Sequence, residues 1–127
     1  MPSDRPTKDG HHRRALGRAL SELFPGMPPE QEPCAALIYQ SVFGDLPLSA
    51  WQKVGTTLRR FADGKALHFA PRRTYCTIGF RGRTAMEFYR FRGGECASGE
   101  VTIKIPYDRE FDPIPIRDTV EWYLYSS

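Results

Sequence analysis

The sequence predicts an α+β domain: three N-terminal helices followed by an antiparallel β-sheet of three to four strands that contains an Arg-rich hairpin. Two observations carry this. Apolar residues recur at steps of three and four up to Phe61 and at steps of two from Ala66 onward. Proline and glycine punctuate the chain at Pro25-Gly26, Gly44, Asp63-Gly64, Pro71, Gly93-Gly94 and Pro106. At 127 residues, 40% of them hydrophobic, the chain supports one core, placed at residues 11–127 behind a mobile arm at residues 1–10.

Each element has a local reason. Leu16, Leu20, Leu23 and Phe24 form an apolar stripe that Pro25-Gly26 ends. Pro33 suits the first turn of a second helix, with Leu37, Ile38 and Val42 inward and Gly44 as its stop. Ser49 and Gln52 match a capping box, and Trp51, Val54, Leu58 and Phe61 form the inner stripe of an expected third helix. Its outer face would present Gln52, Lys53, Thr56 and Arg60. A short strand around Leu67 and Phe69 follows. Residues 73–80 and 84–91 then read as a hairpin about Arg81-Gly82-Arg83, with Phe80 opposite Thr84 and Ile78 opposite Met86. Val101, Ile103 and Ile105 alternate as a further strand. Val120, Trp122 and Leu124 favour a last strand, while Ile116, Val120 and Leu124 also fit helical four-residue steps.

Charge is distributed unevenly. The net charge is only +3, yet residues 59–92 hold nine basic side chains against Asp63 and Glu87, and residues 93–127 hold three against seven acidic ones. Fourteen of the eighteen cations are Arg, whose planar fork suits phosphate, guanine edges and carboxylate. The longest apolar run, Ala35 to Tyr39, is far below the ~20 residues of a membrane span. The charged opening residues give no expectation of a secretory signal, so a cytoplasmic location is expected. Cys34, Cys76 and Cys96 are odd in number and widely spaced, which suggests neither a disulfide framework nor a CxxC metal site.

Catalytic patterns are sparse, and neither a cofactor nor a metal is expected. His11 and His12 are adjacent, so on a helix they point ~100° apart and are ill placed to chelate one ion. His68, with Arg72, Arg73, Tyr75 and Glu87, could serve a metal-free ribonuclease as an acid–base group, though the pattern is unspecific. No Gly-rich phosphate loop, Walker pattern or GxSxG is present, which disfavours an enzyme.

Nucleic-acid binding, DNA first, is the stronger expectation. Three helices followed by an Arg-rich hairpin resemble the element order of a winged helix-turn-helix, in topology alone. That order would place Gln52, Lys53, Thr56 and Arg60 in the major groove. Arg81 and Arg83 would form the tip of the wing, with Arg72, Arg73, Arg90 and Arg92 at its base contacting phosphates. In a variant, Tyr75, Tyr89 and Phe91 stack unpaired bases on an open sheet face, unless the C-terminal segment packs over it. The rival class is a protein-binding module or inhibitor, acting through charged and aromatic surfaces.

Overall fold

A computed structural model of the protein describes residues 8–62, 64–96 and 99–125. The arm expected at residues 1–10 lies outside the described residues as far as residue 7, and residues 8–10 already belong to the first helix. The architecture is α+β, with four helices and one five-stranded antiparallel sheet. Helices α1 (Lys8–Leu23) and α2 (Glu32–Phe43) come first. Strands β1 (Gln52–Val54), β2 (Thr57–Ala62), β3 (Lys65–Pro71) and β4 (Tyr75–Phe80) follow. Helix α3 (Thr84–Phe91), strand β5 (Thr102–Pro106) and helix α4 (Pro113–Tyr125) complete the chain. The strands lie in sequence order, so each is hydrogen-bonded to its neighbours in the chain.

The first two helices form where their sequence stripes place them, and Gly44 ends α2 at φ 64 with its N–H bonded to Gln40 O. Leu37, expected inward with Ile38 and Val42, is exposed, because the buried face of α2 runs through Ala35, Ile38, Tyr39 and Val42. The third predicted helix does not form. After a 3-10 turn at Leu48–Ala50, residues 52–62 make a hairpin in which Val54 pairs with Thr57 across Gly55 and Thr56. Gly55 takes φ 62, the positive value that a glycine-first two-residue hairpin loop requires. A glycine flanked by β-branched Val54, Thr56 and Thr57 is poor helix material, and that cost outweighs the three-and-four spacing. Ala62 pairs with Lys65, and Gly64 at φ 78 turns the chain into β3.

Two further corrections concern the C-terminal half. Residues 84–91 are helix α3 rather than the second arm of a hairpin, and β4 pairs instead with β3 and β5. Ala85, Met86 and Tyr89 are buried on one face of that helix, and Ala, Met, Glu and Arg all favour the helical state. The last segment is helix α4, not a strand. Asp112 Oδ1 accepts the Ile114 N–H at 3.0 Å, and Pro113 opens the first turn, a standard helix start. The four-residue step Ile116–Val120 is the one that faces inward.

Alternation along the strands separates two faces. Leu58, Leu67, Phe69, Cys76, Ile78, Phe80, Ile103 and Ile105 are buried together with α2, α3 and α4 residues in one core. Tyr123 of α4 fixes the helical layer to the sheet. Its hydroxyl donates to Ala66 O at 2.8 Å and accepts the Arg81 N–H at 3.0 Å, while its ring meets Phe80 edge-on. Trp51 closes the other end, donating to the Tyr39 hydroxyl at 2.8 Å, which donates in turn to Leu46 O at 2.6 Å. No helix among the described residues is long and apolar enough to cross a membrane.

Candidate nucleic-acid interface

Among the described residues, no helix packs on the opposite face of the sheet. Cross-strand register places Gln52, Arg59, His68, Gly79 and Thr102 in one row across all five strands. Thr57, Ala70, Thr77 and Lys104 form the next row, with Phe61 and Ala66 toward one end and Tyr75 toward the other. None of the five strands contains Asp or Glu, whereas they carry Lys53, Arg59, Arg60, Lys65 and Lys104. Among the described residues the only ion pair is Arg92–Asp118, at 2.8 Å on the helical side. Arg59 and Lys104 thus stand on the open face without carboxylate partners among the described residues. Uncompensated cations on one surface favour a polyanion.

These cations are placed by ring contacts. The Arg59 guanidinium lies 5.6 Å from the Phe61 ring centroid, and Lys104 Nζ lies 4.8 Å from that of Tyr75. Arg59 Nε is shielded from solvent and has no hydrogen-bond partner among the described residues. His68, directly across from Arg59, has its pKa held below the ordinary imidazole value, first by burial and then by the Arg59 charge.

The sequence-predicted residues do not form one continuous surface. Gln52 joins the open face beside Arg59, but Lys53 and Arg60 point the other way: Lys53 Nζ lies 5.6 Å from the Phe24 ring centroid, and Arg60 Nη1 donates to Ala50 O at 3.3 Å. With no third helix there is no groove-reading helix face. Thr56 and Arg72 meet at the β1–β2 and β3–β4 turns, where Arg72 Nη1 donates to Thr56 O at 3.2 Å, and Arg73 is exposed beside them. Arg81 and Arg83 lie beyond the opposite end of β4, roughly 20 Å away for a strand of that length. Arg90 and Arg92 belong to α3, with Arg90 bonded to Gly99 O at 3.2 Å. There is therefore no wing with a basic tip and a basic base.

Of the aromatics expected on an open sheet face, Tyr75 is there, whereas Tyr89 and Phe91 are on α3. The C-terminal segment covers the helical side instead. Arg59 and Lys104 are the functional candidates that sequence reasoning missed. The two-residue alternation through Leu58, Arg60 and Ala62 against Arg59 and Phe61 would have found Arg59, once Gly55 was read as a turn. The ribonuclease grouping is also dispersed, because Glu87 is exposed on α3 while His68 is on the open sheet face.

One cavity borders this region and a second lies on the α2 side. The first, of about 370 Å³, is walled by Tyr75 and Lys104 together with Gln31, Thr74 and Asp108. The second, of about 570 Å³, lies between α2 and residues 106–113, with Cys34, Leu37, Ile38 and Phe111 in its largely apolar lining. No group of three or more His, Cys, Asp or Glu side chains among the described residues could hold a metal ion. In comparisons with known proteins, no family model, no curated protein and no solved structure matches the chain.

Proposed function

We propose that the protein is a non-catalytic nucleic-acid-binding module whose contact surface is the uncovered sheet face. The observation that carries this reading is the charge on that face: it presents Arg59 and Lys104, and none of the chain's 15 acidic residues lies on any of the five strands. Gln52, Arg59 and Lys104 would meet the ligand on the sheet. Thr56, Arg72 and Arg73 extend the same surface over the turns at one end, and Arg81 and Arg83 bracket the other. Lys53, Arg60, Arg90 and Arg92 are engaged on the helical side and fall outside this surface.

A salt titration tests the reading. Neutralising four phosphates, by Arg59, Lys104, Arg72 and Arg73, gives a log–log salt slope near −2.8 for a single strand, or about 50-fold weaker binding from 50 to 200 mM salt. Arg59→Ala and Lys104→Ala should each weaken oligonucleotide binding and flatten the slope by about 0.7, while Arg60→Ala leaves both unchanged. Salt-independent affinity, or equal losses in Arg60→Ala and Arg59→Ala, would refute it.

A second reading, association with a protein partner, is favoured by a different surface. Phe91 and Tyr125 are each 82% exposed, and between them Phe88 stacks on Trp122 at 4.7 Å with 6° between ring planes. An apolar patch of this kind on an α3–α4 ridge is the feature that marks protein interfaces. It lies on the helical side, so the two readings need different faces. Phe91→Ser should abolish such association without altering oligonucleotide affinity.

A further inference from the structure

Three planar side chains stand on the open face, one on each of three successive strands: Phe61 on β2, His68 on β3 and Tyr75 on β4. Their positions follow from the register. Phe61 is opposite Ala66, two residues before His68, and His68 is opposite Gly79, four residues after Tyr75. With about 3.3 Å per residue and 4.8 Å between strands, Phe61 lies about 8 Å from His68 and His68 about 14 Å from Tyr75. The three rings therefore mark one diagonal of about 22 Å across the face.

The surroundings of this diagonal are low. Ala66, Ala70, Gly79 and Thr77 occupy the positions beside the rings, so the rings rise from a floor of small side chains. Phe61 is 55% exposed and keeps Arg59 beside it, while Tyr75 keeps Lys104. Base faces are available for stacking on rings in an unpaired strand, whereas in a duplex they are stacked on one another. One exposed and two half-buried rings, with two cations beside them, match the two repeating parts of a single strand, base and phosphate.

From this we infer that the ligand of the sheet face is an unpaired nucleic-acid strand of about four nucleotides, running along the Phe61–His68–Tyr75 diagonal with Arg59 and Lys104 on its phosphates. The inference rests on the nucleic-acid reading above and narrows it to a substrate class. At the Tyr75 end the track opens into the smaller cavity, where Gln31 and Asp108 offer hydrogen-bonding groups to a base edge.

The test uses the full chain with two labelled probes at 50 mM salt, an octathymidylate and a blunt DNA hairpin, read by fluorescence anisotropy. Phe61→Leu and Tyr75→Leu remove the rings and keep apolar bulk, and a thermal melt of each confirms folding. Each should lose at least about fivefold in affinity for the single strand, with hairpin binding unchanged. Arg59→Ala should weaken both probes. If the ring variants bind the octamer as tightly as the wild type while Arg59→Ala still loses affinity, the diagonal track is wrong and the polyanion reading stands. If the wild type prefers the hairpin, the single-strand assignment is overturned. If the wild type binds neither probe, the nucleic-acid reading falls and this inference falls with it.

Discussion

Tyr123→Phe removes one oxygen atom from the interior and tests how the helical layer is held to the sheet. Tyr123 is 7% exposed, and its hydroxyl serves two backbone groups 15 residues apart in sequence, Ala66 O and Arg81 N. The ring and its contact with Phe80 survive in the variant, so no cavity of ring size is opened. What is lost is one donated and one accepted hydrogen bond. Ala66, 5% exposed, is poorly placed to recruit water for its carbonyl, whereas Arg81 is exposed and can rehydrate its N–H. The net contribution of a hydrogen bond is about 1 kcal/mol, and a buried group left without a partner adds about 1 kcal/mol more, so the loss should be about 2 kcal/mol. For a domain of this size that corresponds to a fall in Tm of about 6–10 °C. Differential scanning calorimetry on Tyr123→Phe beside Tyr125→Phe measures it, because Tyr125 is 82% exposed and its hydroxyl should matter by less than about 0.5 kcal/mol. If both variants melt within ~1 °C of each other, the hydroxyl is not what couples α4 to β3 and to the segment entering α3.

Two further outcomes follow from titratable groups. His68 has a lowered pKa, so the folded protein resists a proton that the unfolded chain accepts near pH 6.5. The stability from its neutral form is complete above that value and is lost as pH falls through it. Denaturant midpoints should therefore drop on acidification in the wild type and less so in His68→Gln. Phosphate on the sheet face favours the imidazolium, so oligonucleotide affinity should rise over the same fall in pH, and His68→Gln should remove that rise. Burial pushes the Cys76 thiol up to about 12, although the Tyr107 hydroxyl beside it acts in the opposite direction. Cys34 is only partly buried. Iodoacetamide on the native protein should label Cys34 and spare Cys76, with mass spectrometry as the readout and denaturant exposing Cys76. Early labelling of Cys76 would contradict its place in the core.

Several elements were legible because their signals are local. The stripe Leu16–Leu20–Leu23 and the stop at Pro25-Gly26 define α1, and Pro33 with Gly44 frames α2, since caps and periodicity act within one or two turns. The alternation in 66–70, 75–80 and 101–105 likewise identified β3, β4 and β5. Where a spacing is shared by two structures, the local signal is ambiguous. Trp51, Val54, Leu58 and Phe61 fit a helical stripe, but only Trp51 and Leu58 are buried, while Val54 and Phe61 are exposed. Gly55 and the pair Asp63-Gly64 were hairpin signals that the helical pattern obscured.

By itself the sequence determined the class of the fold, the two N-terminal helices, the strands β3, β4 and β5 and the concentration of arginine in the middle of the chain. Only the tertiary structure decided which side each side chain faces. A strand sends adjacent residues to opposite faces, so turning the expected third helix into β1 and β2 moved Arg60 toward the helices and brought Arg59 to the open side. The same packing placed Arg72 and Arg81 at opposite ends of β4, and set Lys104, from a distant and otherwise acidic segment, beside Tyr75. Proximity along the chain sets a charge density, but a binding surface depends on register, and register is fixed by which apolar residues must share the core.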